Sequence, residues 1–574
     1  MRTYKEEIAA LLAPLTGLLP GVIHDSISLP QHPDHGDFAF PCFLLAKQLR
    51  KPPAAIATEL AGSLNPSPPI AKVEALGGYL NFFVDKAEFA RRTLTAIAGQ
   101  GEHYGDLELG AGKTVVIDYS SPNMGKELSF HHLRGTMIGN ALSRIYRKAG
   151  FQVVRINHLG DWGTSYGKLI VMFRREGLGK ADLPGLTIER LNALYKSFEA
   201  ASREDETLED QAREAFQRLE AGDPANRELW EAFRETTLVE LRRLYAILGV
   251  EFDHYTGEAF FLDHMEKVMD DLSGRGLVVR SRGADIVDLE AHGMPPVLLR
   301  KTDGATLYIT RDIAAAIYRK AAYGFDKCLY VVDNGQSLHF QQLFKVLELM
   351  GFDWAKSLEH VPYGVMLLKG EDGNWEKGKT RSGQSNLLKD VIKRAQEKIL
   401  AIMEEKNPEA LGKDALARQI AVGALVFSDL KNRRLGDIRF EWDKALSFEG
   451  DTGPYVQNAH VRLCSILRKA GLRKAEVADS ANIDFGNFPE ASAQNLIQAL
   501  SLLPHKIETA VNANDPCPLA QYALEIAEAT HSFVHSCRVL GSPQEKDRLF
   551  LIDCARAVLG QSLDLIGVPA IEAM

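Results

Sequence analysis

Between Thr114 and Gly160 the chain reads TVVIDYS, then the loop SPNMGKELSF, then HHLRGTMIGNALSRIYRKAG, then QVVRINHLG. The two outer runs are short, apolar and β-branched, as strands are. The middle stretch carries Leu133, Met137, Ala141 and Ile145 at four-residue spacing and stops at Gly150, as an amphipathic helix does. Two strands joined through a helix lie parallel, because the crossover carries the chain back to its starting edge. This predicts an α/β parallel sheet with its ligand site at the carboxyl ends of the strands.

The rest of the 574 residues exceeds what one core can organise, and roughly three to five domains are expected. Residues 1–110 read as an α/β module. An N-terminal helix is followed by HGDFAFPCFLLAKQLRKPPAAIATELAGSL, whose apolar positions fit two short helices, the second starting at Pro52-Pro53. IAKVEALGGYLNFFV reads as two strands about a Gly-Gly turn, and AGQGEHYGDLELGAGK (98–113) as a linker. Residues 111–388 form the sheet domain, interrupted at about 175–250 by a charged helical insertion and carrying a glycine-rich basic loop at 370–385. Strand–helix alternation resumes at ADIVDLE, LYITRDIAAAIYRKAA and CLYVVDNGQ. From Lys389 onward the pattern is helical throughout: a connecting region (389–445) and an all-α C-terminal domain (446–574).

Charge and cysteine usage narrow the function. The six cysteines are scattered with no CxxC pair, so neither a zinc cluster nor a disulfide framework is expected, and the cytoplasm is the default compartment. No run is long and apolar enough to cross a bilayer, and Glu6 and Glu7 ahead of the first apolar stripe do not fit a secretory signal. The net charge of −9 gives no overall attraction to nucleic acid. It leaves room for local basic faces, and KNRRLGDIR (431–439) and RKAGLRK (468–474) are candidates, although solvated helix faces read the same way.

Four stretches carry possible chemistry. At the first strand's exit Asp118, Asn123, Lys126, His131 and His132 surround a helix N-terminus, whose free N–H groups attract anions. A plain polar helix entrance would look similar. GDWGTSYGKL (160–169) has glycines that permit close backbone approach to a ligand, or simply a tight turn. In LYITRDIAAA, Tyr308 and Asp312 stand four apart and can face one pocket, though an acidic residue early in a helix also complements the dipole. GEDGNWEKGKTRSGQS (370–385) gathers Lys377, Lys379 and Arg381, as a phosphate clamp or a solvated hairpin tip would.

Taken together, in order, these stretches resemble one family. DYSSPNMGKELSFHHLRGT followed by INHLGDWGTSYGKL, LYITRDIAAA, DNGQSLHFQQ, KTRSG and LSFEGDTGPYVQNAHVRLCSI is similar to the class I aminoacyl-tRNA synthetases, specifically the arginyl-tRNA synthetases. HGDFAF and GGYLNFF resemble that family's additional N-terminal domain, and the C-terminal RLFLIDCARAVLGQSLDLIGVPAIEAM its last helices. The resemblance covers the whole chain. It implies a Rossmann-like catalytic domain, an N-terminal α/β tRNA-binding module and a C-terminal all-α anticodon-binding domain. It also implies an ATP-dependent arginine–tRNA ligase that forms arginyl-adenylate and transfers the arginyl group to the 3′ end of tRNA(Arg), with exchange of pyrophosphate dependent on tRNA.

Carried over position by position, the resemblance assigns Lys126, His132, Lys379 and Arg381 to catalysis. Ser129, His131, His132, Gly160, Asp161, Trp162 and Gly163 fall at ATP-binding positions. Asp118, Asn123, Tyr308, Asp312 and Gln336 fall at arginine-binding positions, and Arg433, Arg434, Tyr455, Asn458 and Arg462 at the tRNA face. A guanidinium presents five donors and a fixed charge, which carboxylate and amide acceptors read well. The implied partners are arginine, ATP with its accompanying Mg2+, and tRNA(Arg), with no tightly bound metal, no membrane, and a monomeric enzyme.

The chain departs from the family pattern at four places. Asn123 and Leu133-Arg134 fix the register without gaps, so the family's first signature histidine falls on Ser129, its glycine on His131 and its second histidine on His132. The final lysine of the second signature is not evident in KTRSG, and Lys126, three residues after the SPN asparagine, is the residue that family members lacking it carry. Asn458 stands where the family often has an aromatic, as does Val534 nearby, so anticodon stacking is expected to be rearranged. Asp118 is one methylene shorter than the glutamate usual there. The altered first signature also admits a catalytically impaired descendant with an RNA-binding or regulatory role. An arginine-activating enzyme with another acceptor is a third reading, opposed by the retention of both terminal modules.

Overall fold

A computed structural model describes residues 2–574 except 31, 33–34, 67–68, 301–307, 370–373, 377–385, 407–411 and 473–479. At its centre is a four-stranded parallel sheet in the order Leu358–Tyr363, Lys327–Asp333, Thr114–Asp118, Gln152–Ile156. Side chains of the Thr114–Asp118 strand alternate between two cores, as the pleat requires. Val115 and Ile117 join the large core that holds the helix His132–Lys148, and Val116 joins a second core with the helices Tyr308–Tyr323 and Ser337–Leu349. The sheet is therefore covered on both faces, which explains why its strands read as unbroken apolar runs.

The predicted stripe Leu133, Met137, Ala141 and Ile145 is buried, and the helix ends at Lys148 with Gly150 at φ +91°. Arg134, Thr136, Asn140 and Ser143 are buried as well. The helix is enclosed on its other side by the C-terminal helices, with Tyr146 donating to Asn514 at 2.5 Å. The insertion is helical as expected, with helices Ile188–Ala201, Thr207–Glu220 and Pro224–Leu248.

Three expectations change. ADIVDLE does form a strand (Ala284–Val287), but in a separate antiparallel sheet with Val279–Ser281 and Val297–Arg300. Only Arg282 and Gly283 join the first two strands, both at positive φ, and so tight a turn reverses the chain. The region after Lys389 is not entirely helical: Ile438–Phe440 pairs in parallel with Met366–Leu368. Three residues are too few to show a period, so this strand exists only through its partner. In the N-terminal module the short strand Phe38–Pro41 precedes the two expected helices, Phe43–Leu49 and Pro53–Ser63. It pairs with one arm of the predicted hairpin, Ile70–Leu76 and Tyr79–Val84. The 98–113 stretch starts inside the helix Lys86–Gln100 and is packed, with the Leu107 and Gly110 N–H groups donating to the carbonyls of Lys148 and Ala149.

Candidate active site

The loop after Asp118 is held in an uncommon conformation. Ser120 and Ser121 both have positive φ, +72° and +44°, which costs L-residues energy and recurs at functional sites. Hydroxyl bonds fix it. Ser121 Oγ donates to Asp118 Oδ1 at 3.0 Å, Thr136 Oγ1 donates to Ser120 Oγ at 2.8 Å, and Ser120 Oγ lies 2.8 Å from the Tyr245 hydroxyl. The turn delivers Asn123, which is exposed, to Gly160 at the exit of the neighbouring strand. The Met124 N–H donates to the Gly160 carbonyl and the Gly160 N–H to that of Pro122, both at 3.0 Å. A Cβ on Gly160 would stand 2.5 Å from Asn123 Oδ1, so the two exits meet only because that residue is glycine.

His132 opens the signature helix and His131 precedes it, exposed, with the two rings 6.2 Å apart. The Ser129 N–H points to His132 Nδ1 at 3.1 Å, and Ser129 Oγ lies 2.8 Å from the same atom. The Ser129 carbonyl also lies 3.2 Å from Nδ1, but the N–H at 3.1 Å can only donate and the hydroxyl at 2.8 Å can donate as well, so Nδ1 accepts and the ring proton is assigned to Nε2. Burial pushes the His132 pKa below its ordinary value, so the neutral form is favoured. A neutral imidazole with its N–H at a helix N-terminus is a donor for a phosphate oxygen. Lys126 stands 3.9 Å over the ring of Tyr195, which comes from the helical insertion. Lys379 and Arg381 lie outside the described residues.

The GDWG turn divides by role. Gly163 adopts φ +137°, open only to glycine. The side chains of Asp161 and Trp162, predicted at the nucleotide, point inward. Asp161 is 1% exposed and accepts from Arg234 Nε at 2.8 Å and the Ala259 N–H at 2.9 Å. Trp162 packs edge-on against Phe216 and Trp230. A buried carboxylate must be paired, and here it ties the turn to the insertion. Only the backbone of these two residues is left for a ligand.

The arginine-binding candidates converge partly. Asp312 lies in the second turn of its helix, with Oδ2 accepting from His339 Nε2 at 2.7 Å and Oδ1 3.9 Å from His158 Nε2. Tyr308 starts that helix and is exposed, and the Arg311 guanidinium lies 5.3 Å from its ring centre while pairing with Glu258. Burial raises the Glu258 pKa to about 7, with Arg311 opposing that rise. Gln336 is exposed in the turn Asn334–Gln336, one turn before His339. Asp118 differs from expectation. Its Oδ2 is paired with Arg319 Nη2 at 2.7 Å, both side chains are buried, and Ser121 takes the other oxygen.

Sequence reasoning did not single out Arg319, His158 or His339. Arg319 had one visible signal, being seven residues after Asp312 and so on the same face of an alanine-rich helix.

On the helical domain, Tyr455 and Arg462 lie on the helix Gly453–Lys469 and both meet His531. The Tyr455 ring is 4.9 Å from that imidazole, and Arg462 Nη1 is 3.4 Å from its Nδ1. Asn458, half-buried, lies between them on the same helix. Arg433 is exposed, but Arg434 is not available as the basic cluster implied. Its guanidinium donates to the carbonyls of Pro362 at 2.7 Å and Ala513 at 3.5 Å, joining the sheet domain to the helical domain. Among the described residues no three His, Cys, Asp or Glu side chains gather as a metal site, and no helix is long and apolar enough to cross a membrane.

Comparison with known proteins gives three family matches in chain order. Residues 2–84 match the arginyl tRNA synthetase N terminal domain, 93–442 the catalytic domain of tRNA synthetases class I (R), and 456–574 the DALR anticodon binding domain. The chain is 43% identical over 577 residues to an arginine–tRNA ligase of Alkaliphilus metalliredigens, covering 100% of both chains. It is 44% identical over 550 residues to one of Clostridioides difficile, covering 96% of this chain and 95% of that one. Among solved structures, Thermus thermophilus arginyl-tRNA synthetase aligns over 100% of both chains with a TM-score of 0.78 and 26% identity.

Proposed function

The chain belongs to the arginyl-tRNA synthetase family, and from that premise we propose that it is an ATP-dependent arginine–tRNA ligase. The arginine carboxylate attacks the α-phosphate of ATP and pyrophosphate leaves. The arginyl group then passes to the 3′ end of tRNA(Arg), releasing AMP. In-line displacement of this kind needs positioning and charge stabilisation more than covalent help.

What supports this reading is that two features lie at the exits of sheet strands: the Asp312 carboxylate held by His339 beyond Lys327–Asp333, and a histidine at the N-terminus of the helix that follows Thr114–Asp118. Asp312, with Tyr308 and Gln336, takes the substrate's guanidinium and amino groups, and Asn123 contributes from the exit of the Thr114–Asp118 strand. His132 donates through Nε2 to the nucleotide phosphates. Lys126, Lys379 and Arg381 supply positive charge there, and Gly160 and Gly163 let the backbone approach. Mg2+ enters with ATP. Tyr455, Asn458, Arg462 and Arg433 face tRNA. The enzyme works as a monomer in the cytoplasm, and its six buried free thiols support a reducing compartment.

Charging of bulk tRNA with labelled arginine, beside lysine and citrulline, tests the reading. Arginine alone should be incorporated, with ATP consumed. Incorporation of none of the three overturns the assignment.

A further inference from the structure

The pocket contains a guanidinium of its own. Arg319 is 1% exposed and lies on the same helix as Asp312, about 10 Å further along. Its Nη2 donates to Asp118 Oδ2 at 2.7 Å and lies 3.4 Å from His158 Nδ1. An arginine has donors and no acceptor, so His158 Nδ1 is the accepting nitrogen and the ring proton is carried on Nε2. That nitrogen faces Asp312 Oδ1 at 3.9 Å, while His339 holds Oδ2 at 2.7 Å.

We infer that Arg319 and His158 are positioning residues for substrate recognition, linking Asp118 to Asp312 in the order Asp118, Arg319, His158, Asp312. The inference rests on the function proposed above. Arg319 has two effects. It neutralises Asp118, so that carboxylate does not compete for the substrate's guanidinium. It also fixes the tautomer of His158, which turns an N–H toward the Asp312 oxygen that His339 leaves open. At 3.9 Å this N–H is too far for a hydrogen bond and acts as an oriented dipole. The Asp312 carboxylate is thus steered from both sides, and its orientation sets how a planar guanidinium can dock.

Other charges beside this line are matched. Glu258 pairs with Arg311, and Asp333 accepts from the Gly335 N–H at 2.8 Å. His158 is stacked on Phe261 with ring centres 5.8 Å apart, which limits its rotation and leaves the two nitrogens aimed at Arg319 and Asp312.

The test uses the full-length chain with His158→Phe, His158→Gln and Arg319→Lys, measuring KM and kcat for arginine, KM for ATP, and Tm. His158→Phe keeps the stacking and removes the N–H. It should raise the arginine KM about tenfold or more while leaving the ATP KM within about twofold. His158→Gln can again present an amide N–H and should recover most of the loss. Arg319→Lys keeps the charge beside Asp118 but loses the fork, and should also raise the arginine KM selectively. Folded His158→Phe with an unchanged arginine KM overturns the inference, as does a parallel loss for arginine and ATP. If Arg319→Lys fails to fold, the two His158 variants still decide. A wild-type chain that does not charge tRNA with arginine overturns the proposed function, and this inference with it. A wild-type chain that charges normally beside unaffected variants overturns the inference alone.

Discussion

Ser129 holds His132: its backbone N–H lies 3.1 Å and its hydroxyl 2.8 Å from the imidazole Nδ1. The residue that stands where the family's first signature histidine is expected therefore orients the second. With Nδ1 held in this way, Nε2–H is the ring's donor. Because the donor would act on charge that develops during attack, its loss should appear mainly in kcat. His132→Ala is expected to lower kcat about a hundred-fold with a smaller change in ATP KM. His131→Gly, at an exposed position, should cost little. Equal losses from both variants in single-turnover arginyl transfer would show that His131 shares the role.

The same geometry fixes a pH dependence. Burial lowers the His132 pKa, so the neutral ring persists through and somewhat below the ordinary histidine range. If neutral Nε2–H is the active form, kcat should hold steady above the ordinary histidine range and fall only in more acidic solution, at a pH below that where a free histidine titrates. A kcat that climbs as pH drops toward 6 would identify the imidazolium as the active form instead.

Asp312→Asn should impair arginine use and leave ATP binding nearly intact. The carboxylate is held by His339, and the amide that replaces it carries no charge for a guanidinium. Losing a buried charged partner costs on the order of 2–5 kcal/mol. Normal charging at limiting arginine would remove Asp312 from the pocket.

Arg433 and Arg434 are adjacent in sequence but differ in use. Arg433→Glu should reduce the salt dependence of tRNA binding, because a neutralised phosphate releases its counterions. Arg434→Glu should lower Tm before it affects any salt slope, since its guanidinium binds two carbonyls across domains. An unchanged slope for Arg433→Glu together with a stable Arg434→Glu would place the RNA face elsewhere.

Asp429 and Arg134 form a pair in which each side chain is 1% exposed, with Arg134 Nε 3.2 Å from Asp429 Oδ1. Burial raises the Asp429 pKa to about 6 despite Arg134. A carboxyl with a higher pKa when folded binds its proton more tightly in the folded chain. Its contribution to stability is complete in acid and is lost as pH rises through about 6. The stability of the natural chain relative to Asp429→Asn should therefore fall between about pH 4 and 6, by an amount on the order of a few kcal/mol, and level off above that. A constant difference would show that Arg134 fully offsets the burial.

Local sequence determined the parallel unit, the signature helix, the helical insertion and the all-helical tendency of the C-terminal part. Each of these is written in a period of apolar residues over ten or more positions, or in short runs bounded by glycine. It also determined that Ser129, His131 and His132 occupy their register, since no gap is needed between Asn123 and Leu133. Tertiary structure decided which charges remain available. Asp118 and Arg319 are 201 positions apart, Ile438–Phe440 lies 72 positions from its strand partner Met366–Leu368, and no periodicity connects either pair. A buried carboxylate must find a cation or a donor, and the packing of helices on the sheet chooses which one. The same requirement turned Asp161 inward to Arg234 and committed Arg434 to backbone carbonyls. The family resemblance marked all three as candidates for ligands, and only their neighbours in space show that each also has a partner within the protein itself.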